Sequence, residues 1–170
     1  MRHNVQTHRM TINEYNECVK LYADSLYRFI LKNVRDEDKA RDIIQDTYEK
    51  LWVKLSDLAS TNAKSYMFTT AYHTMIDRIR RDKRQTELTA SRELSHSHSR
   101  QYSDLKEVLD EALSKLTDIQ RSLILLRDYE GYSYAEIGEI TGLNESQVKV
   151  YIFRARGLLK NYIGAMENVI

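Results

Sequence analysis

The stretch SYAEIGEITGLNESQVKVYIFRARGLLK, residues 133 to 160, has the pattern of a short helix, a tight turn and a longer helix. Gly142 stands where such a turn needs a left-handed backbone, which glycine adopts without steric cost. Leu143 follows as an apolar plug, and Val148 comes five residues later to lock the second helix. Gly138 replaces the alanine that is usual in such motifs, a departure that we expect the fold to tolerate. The spacing predicts a helix-turn-helix, with a plain helical hairpin as the alternative.

The second helix of this motif has two unlike faces when its residues are projected around a helical wheel. One face is apolar and is expected to close a core; it carries Val148, Ile152, Ala155, Leu159 and Tyr162. The opposite face combines small, amide, apolar and basic side chains, which suit the major groove of DNA. The alternative for this face is contact with another domain or a protein partner. The candidate DNA-contacting residues are Ser146, Gln147, Lys149, Val150, Phe153 and Arg154.

Composition favours helix along the whole chain. The 170 residues include no proline and only five glycines, so few positions oppose helix formation.

The single cysteine, Cys18, excludes a disulfide framework within the chain and fits a reducing, cytoplasmic setting. No apolar run approaches the roughly 20 residues that cross a bilayer, and the first ten residues have no apolar signal-peptide core. We therefore expect a soluble, unexported protein without membrane insertion.

The order of patterns predicts an all-α fold with two small domains and a flexible linker. Three helices are expected in residues 1–84: one striped from Ile12 to Ile30, one that opens at Asp36, and one over about 63–84. The serine-rich, weakly periodic residues 85–103 are expected to form the linker. Residues 104–170 then hold four helices, and the helix-turn-helix is formed by the last two. Three of these four helices open with capping-box spacings, Thr117 with Gln120, Ser133 with Glu136, and Asn144 with Gln147.

Charge is unevenly distributed, although the formal net charge is only +1. Residues 76–84 carry five basic and two acidic groups, whereas residues 36–50 carry six acidic and three basic groups. The basic end of the third helix is suited to phosphates through Arg78, Arg80, Arg81, Lys83 and Arg84. Its aromatic residues Tyr66, Phe68 and Tyr72 are suited to stacking on unpaired bases. The alternatives are aromatic side chains in the core and a solvated charged helix end.

The second helix has an exposed acidic side. A docking face for a basic protein partner is favoured over a catalytic or metal site, because histidine is absent at ligand spacing. The residues of this side are Asp42, Gln45, Asp46 and Glu49. No phosphate loop, nucleophile elbow or metalloprotease motif is present. His96 and His98 offer only an adventitious metal contact, so the sequence predicts no catalytic residues, no resident metal and no cofactor.

Two separated stretches resemble one known family. DEDKARDIIQDTYEKLWVKL with SYMFTTAYHTMIDRIRRDKR resembles region two of bacterial sigma factors of the extracytoplasmic-function group, and residues 113–160 resemble their region four. The resemblance implies a non-enzymatic subunit that binds core RNA polymerase, recognises promoter DNA and promotes strand opening. It also implies an anti-sigma protein as a partner, because family members are commonly held inactive by one.

The resemblance assigns roles to particular residues. It places the acidic side of the second helix on the polymerase clamp helices, with Trp52 near the interior of the fold. It adds Tyr151 to the residues that meet the minus-thirty-five element. For the unpaired minus-ten strand it adds the loop and helix start, and His73 in place of the asparagine that usually lines the base pocket. The full minus-ten set is then Asn62, Lys64, Ser65, Tyr66, Tyr72, His73, Arg78, Arg80 and Arg81.

Two other classes of function remain open at this point. A self-sufficient helix-turn-helix regulator would bind duplex DNA without opening it, and an aromatic, basic third helix argues against this. A helical adaptor would bind only proteins, for which the exposed position of Phe153 is the best support.

Overall fold

The structure, a computed structural model, describes residues 8–89 and 105–167, and no β-strand occurs in these ranges. The predicted all-α fold is confirmed. A 3-10 turn, Ser60–Asn62, precedes α3, and a π-helical turn, Leu125–Tyr129, follows α5. His96 and His98 lie outside the described residues. The helices are α1 (Ile12–Val34), α2 (Glu37–Val53), α3 (Ala63–Thr89), α4 (Leu105–Ser114), α5 (Asp118–Ile124), α6 (Tyr134–Thr141) and α7 (Glu145–Glu167).

The chain divides into two compact units, with the first break along the chain between Asp77 and Arg78, inside α3. Helix α3 also continues five residues beyond its expected end at residue 84. Residues 85–89 were expected to begin the linker, but they contain no glycine or proline that would stop a helix. The remaining linker residues, 90–103, lie outside the described residues, so the division at 84 and 104 stays a prediction.

The N-terminal unit is a layer of helices around an apolar core. Thr11 and Glu14 form a capping box at the start of α1, and Arg35 ends it in a left-handed conformation with φ 57°. Asp36 caps α2 as expected, since its carboxylate accepts from the amide of Lys39. The core of the unit is formed by Leu26, Phe29, Ile30, Ala40, Ile43, Leu51, Met67, Phe68, Ala71 and Met75.

Helix α2 buries a slightly different face from the one that its sequence suggests. The spacing of apolar residues predicts a buried stripe of Ala40, Ile44, Tyr48, Leu51 and Leu55. In the structure Ile43 and Thr47 are buried, whereas Ile44 and Tyr48 are only half-buried. The buried hydroxyl of Thr47 is satisfied because it donates to the carbonyl of Ile43 at 2.7 Å. Ile44 and Tyr48 line an open groove against α1 instead, so α1 covers only part of the apolar surface of α2.

The C-terminal unit is built on α4, α5, α6 and α7. Its core side chains come from all four helices and include Leu113, Leu123, Ile124, Leu126, Ile137, Val148, Ile152 and Ala155. A buried arginine, Arg121, holds the connection between α4 and α5 together. Its guanidinium donates to the carbonyls of Leu113 at 3.0 Å and Leu116 at 2.9 Å, and to the carboxylate of Asp118 at 3.3 Å. These bonds satisfy carbonyls at a helix end that would otherwise lack partners.

Candidate nucleic-acid interface

Capping boxes set the start of each helix in the α6–α7 motif, as predicted. Ser133 accepts from the amide of Glu136 at 3.2 Å, and the carboxylate of Glu136 accepts from the amide of Ser133 at 2.7 Å. Asn144 and Gln147 form the corresponding pair of bonds at 2.8 and 3.0 Å. Gly142 has φ 78° in the turn between the two helices. Local hydrogen bonds therefore determine both where α7 begins and the direction in which it leaves the turn.

The two predicted faces of α7 are confirmed. Val148, Ile152 and Ala155 are buried, whereas Phe153 is 80% exposed and Val150 is 47% exposed. The remaining candidate DNA-contacting residues of α7 are also at the surface, with Tyr151 half-buried and Ser146, Gln147, Lys149 and Arg154 exposed. Phe153 and Val150 therefore give this face exposed apolar surface next to the cations Lys149 and Arg154.

Two residues that the sequence interpretation missed lie beside this face. Two cations lie over the ring of Tyr134, Arg127 at 4.5 Å and Lys149 at 5.6 Å from its centroid. Arg127 also donates to the carbonyl of Tyr132 at 2.8 Å. The π-helical turn after α5 brings Arg127 to this position, and π-turns leave little trace in the spacing of apolar residues. Arg127 and Lys149 therefore both lie at the ring of Tyr134, the first residue of α6.

Two cations of this unit form ion pairs with carboxylates of the same unit. Glu145 pairs with Lys149 at 2.7 Å, one helical turn apart. Arg156 makes a bidentate pair with Asp128, with Nε to Oδ2 at 3.2 Å. The hydrogen bonds that Arg156 donates to the carboxylate of Asp128 raise the pKa of Arg156. Arg156 is therefore held by its own protein, whereas Arg154, two residues earlier, is exposed on the candidate face.

The loop before α3 is held by the segment that leads into α1. The amide of Met10 donates to the carbonyl of Leu58 at 2.9 Å, and Arg9 and Ala59 form an isolated antiparallel bridge. The side chain of Met10 is buried. The backbone leading to Ser60–Asn62 is thus anchored before the candidate strand-binding residues begin.

Most of the predicted minus-ten residues lie at the surface of the loop and of α3. Lys64 also lies over the ring of Tyr22 at 5.3 Å. The exposed members are Asn62, Lys64, Ser65, His73, Arg80 and Arg81, and the half-buried ones are Tyr66 and Arg78.

Tyr72 does not fit the predicted role. It is 5% exposed, and Phe68, another ring that was expected to stack on bases, is fully buried in the core. Because α3 carries aromatic or apolar residues on several sides, its sequence alone does not decide which ring faces the core. We therefore assign Tyr72 to packing and withdraw it from the strand-contact set.

The acidic side of α2 is exposed as predicted, with Asp42, Gln45, Asp46 and Glu49 all at the surface. Gln45 donates to Glu49 at 3.2 Å. Beside these residues the groove between α1 and α2 exposes apolar and aromatic surface, with a volume of about 580 Å³. Acidic and apolar surface therefore lie together, an arrangement that suits a protein partner better than a catalytic reaction.

The interior position expected for Trp52 is wrong. Its side chain is 49% exposed, and its ring meets Tyr15 edge-on, with centroids 5.1 Å apart. Tyr15 donates to the carbonyl of Tyr48 at 3.3 Å, and burial raises the pKa of both tyrosines. The rings therefore remain neutral phenols at physiological pH, and Trp52 forms part of the groove wall.

Two other features, a cluster of metal-binding side chains and a membrane-spanning helix, are absent from the described residues. Within residues 8–89 and 105–167, no group of three or more His, Cys, Asp or Glu side chains is arranged to hold a metal ion. Over the same ranges, no helix has both the length and the apolar composition to cross a bilayer.

Comparison with known proteins gives the same two regions. Residues 18–85 match the family model of sigma-70 region 2, and residues 106–159 match that of sigma-70 region 4. The chain is 29% identical over 161 residues to the ECF RNA polymerase sigma factor SigM of Bacillus subtilis, covering 89% of this chain and 94% of that protein. It is 31% identical over 151 residues to the sigma factor YlaC of the same organism, covering 82% and 86%.

A solved structure is similar over nearly the whole chain. The sigma factor RpoE of Bartonella quintana, in complex with the anti-sigma factor NepR, superposes with a TM-score of 0.75 and 26% identity, covering 90% of this chain and 98% of that one.

Together these similarities define a bacterial transcription factor that acts through RNA polymerase. The chain belongs to the sigma-70 family of RNA polymerase sigma factors, in its extracytoplasmic-function (ECF) subfamily. It is an alternative sigma factor for promoter recognition in transcription initiation, as the sequence resemblance implied.

Proposed function

We propose that this sigma factor divides promoter recognition between its two units. Helix α7 reads the minus-thirty-five element in the major groove through its exposed face. The loop Ser60–Asn62 and the start of α3 hold the unpaired minus-ten strand, with the basic end of α3 on phosphates. The acidic side of α2 binds the clamp helices of core RNA polymerase.

The observation that carries this proposal is the exposed face of α7. Phe153 is 80% exposed, although leaving such a ring in water forgoes roughly 1.5–3 kcal/mol of burial free energy. Arg154 beside it is exposed, whereas Arg156 is held by Asp128. A phenylalanine with a neighbouring arginine fits a groove that offers thymine methyl groups and base-edge acceptors.

Two substitutions of exposed cations on α7, one on the candidate face and one as a control, test the face. Arg154→Ala in reconstituted holoenzyme is expected to lose about 1–3 kcal/mol of discrimination at one minus-thirty-five position. Lys160→Ala, an exposed cation further along α7, is the control and is expected to leave promoter selection unchanged. Equal promoter selection by Arg154→Ala and the parent chain would remove Arg154 from the readout.

The polymerase face can be tested by charge reversal. Asp46→Lys is expected to weaken binding of the sigma factor to core polymerase, because a basic partner surface would then meet a like charge. Asp57→Lys, an exposed carboxylate on the loop of the same unit, makes the same change in net charge and serves as the control. Equal affinities of the two variants for core enzyme would contradict the assignment of the α2 side.

We further propose that the protein acts in the cytoplasm, by binding alone and without a catalytic reaction or cofactor of its own.

We also propose an anti-sigma protein as a partner. Support for this comes from RpoE of Bartonella quintana, which was solved with the anti-sigma factor NepR. Purification of the tagged chain from uninduced source cells, followed by mass spectrometry, tests this: a stoichiometric protein that blocks core binding is expected. Recovery of the chain only with polymerase subunits would contradict it.

A further inference from the structure

The residues just before α1 hold the loop that leads to the minus-ten contacts. The amide of Met10 donates to the carbonyl of Leu58 at 2.9 Å, and Arg9 faces Ala59 in an isolated antiparallel bridge. Met10 is also buried, at 4% exposure, although it lies outside every helix. We call residues 8–11 the brace. It is joined to the loop at the two residues directly before the turn Ser60–Asn62.

Glu14 ties the brace to the first turn of α1. Its carboxylate accepts from the amide of Thr11 at 2.7 Å and from the hydroxyl of Thr11 at 3.0 Å, and it lies 3.4 Å from His8. The bond from the amide of Thr11 is the main cause of the lowered pKa of Glu14, and the hydroxyl of Ser60 lowers it further. One carboxylate therefore lies at both ends of the brace and beside the turn that leads into α3.

The bonds within the loop are of a different kind from the bonds to the brace. The amide of Asp57 donates to the carbonyl of Lys54 at 3.0 Å, and the amide of Asn62 donates to the carbonyl of Ala59 at 2.9 Å. Bonds across three residues close local turns without fixing where those turns lie in the fold. The bond from Met10 crosses from one end of the N-terminal unit's sequence to the loop, so it fixes the loop against the start of α1.

A loop that is ordered before the strand arrives binds it at a lower entropic cost. Fixing the backbone of one residue changes an equilibrium constant by roughly a factor of 5 to 30. In this protein the bonds to the brace order residues 58 and 59 during folding. That cost is then absent from strand binding by the residues that follow, Asn62, Lys64 and Ser65.

This inference rests on the strand contacts proposed above: we infer that the brace preorganises the minus-ten loop, with Met10 as its positioning residue. The buried side chain of Met10 anchors the brace in the N-terminal unit, and its amide fixes the loop at Leu58. The brace does not bind the strand. It acts through the position that it gives to Asn62, Lys64 and Ser65.

Met10→Ala removes the anchor, and Met10→Leu keeps a buried side chain of similar volume. Holoenzyme reconstituted from core RNA polymerase and the full chain is titrated with a fluorescent single-stranded oligonucleotide, which carries the minus-ten strand of a promoter that the parent holoenzyme uses. Met10→Ala is expected to weaken strand binding by about fivefold or more, and Met10→Leu to bind like the parent chain.

The affinity of each variant for core polymerase separates positioning from general destabilisation. The proposed polymerase face is on α2, in the same unit as the loop, so Met10→Ala is expected to leave that affinity unchanged. Ile30→Ala is the matched control, because it removes a buried side chain near the other end of α1. Ile30→Ala is expected to lower the unfolding midpoint without a selective loss of strand binding.

A reversible cross-link tests whether the position of the loop is what Met10 supplies. Residues that face each other in antiparallel segments are about 4.5–5.5 Å apart at Cα, within reach of a disulfide. Arg9→Cys with Ala59→Cys is therefore added to Met10→Ala, and oxidation is expected to restore strand binding, which reduction then removes. Cys18 is buried, and burial raises the pKa of its thiol, so it is not expected to compete.

Three results would overturn the inference: strand binding by Met10→Ala equal to that of the parent chain, an equal loss of strand and core affinity, or no recovery on oxidation. Each leaves the proposed strand contacts standing, provided that Asn62→Ala and Lys64→Ala still weaken strand binding. Unchanged strand binding by those two variants would contradict the strand contacts themselves, and the inference with them.

Discussion

The carbonyl oxygen of Leu143 would lie 2.7 Å from a Cβ atom added at Gly138, which is closer than real Cβ contacts. Gly138 in α6 is therefore required by the close approach of the turn, so the fold tolerates this departure from alanine, as expected, and also depends on it. Gly138→Ala is expected to lower the free energy of unfolding by about 1–3 kcal/mol, because the contact strains a packed core. Chemical denaturation and amide hydrogen exchange of α6 and α7 measure this.

Gly164→Ala is the control for this substitution. Nothing lies within 4 Å of a Cβ at Gly164, so alanine there is expected to stabilise α7 by up to about 1 kcal/mol through helix propensity. Equal stabilisation by both substitutions would show that the turn does not press on Gly138.

The buried guanidinium of Arg121 is expected to be a major source of stability in the C-terminal unit. Arg121→Met leaves the carbonyls of Leu113 and Leu116 without their donor, at an expected cost of about 2–4 kcal/mol. Arg41→Met removes an arginine whose ion pairs with Glu37 and Asp38 are exposed, and is expected to change stability by less than about 1 kcal/mol. Similar unfolding midpoints for the two variants would contradict the role given to Arg121.

The ion pair between Glu145 and Lys149 is expected to limit non-specific DNA binding. Glu145→Gln frees the ammonium group, so affinity for duplexes of any sequence should rise, whereas Lys149→Met should lower it. If Lys149 contacts one phosphate, the plot of log affinity against log salt concentration should be less steep for Lys149→Met, by about one unit of slope. Titrations of the chain with promoter and unrelated duplexes test both. A change confined to promoter sequences would instead assign Lys149 to base readout.

Strand opening is expected to depend on Tyr66 and not on Tyr72. Loss of one stacking ring costs about 1–3 kcal/mol, so Tyr66→Ala should slow or reduce opening of the minus-ten element, while Tyr66→Phe keeps the ring and the opening. Tyr72→Phe retains the buried ring and is expected to open promoters like the parent chain. Fluorescence of 2-aminopurine in the minus-ten strand measures the open fraction. Reduced opening by Tyr72→Phe with normal stability would return Tyr72 to the strand-contact set.

The sequence predicted what short-range chemistry decides. The capping boxes at Thr117, Ser133 and Asn144, and the left-handed turn at Gly142, follow from residue types three or four positions apart. The faces of α7 were also predictable, because only one side of that helix is continuously apolar.

Long-range packing decided the features that sequence reasoning missed. On α2 and α3 several sides are apolar or aromatic, so the burial of Tyr72 and the exposure of Trp52 depend on which side the neighbouring helix covers. Arg127 lies close to Tyr134 because of a π-helical turn. Arg121 binds carbonyls at the end of α4, which depends on how α4 packs against α5. No pattern of residue spacing in the sequence indicates any of these contacts.

Run-off transcription with the cognate core RNA polymerase tests the central account most directly. Core enzyme plus this chain is expected to start at a specific site on promoter DNA. Initiation should weaken when either the minus-ten or the minus-thirty-five element is scrambled, because each unit is proposed to bind one of them. Initiation that needs the chain but ignores the minus-thirty-five sequence would contradict the role of α7, and no promoter-dependent initiation would contradict the account as a whole.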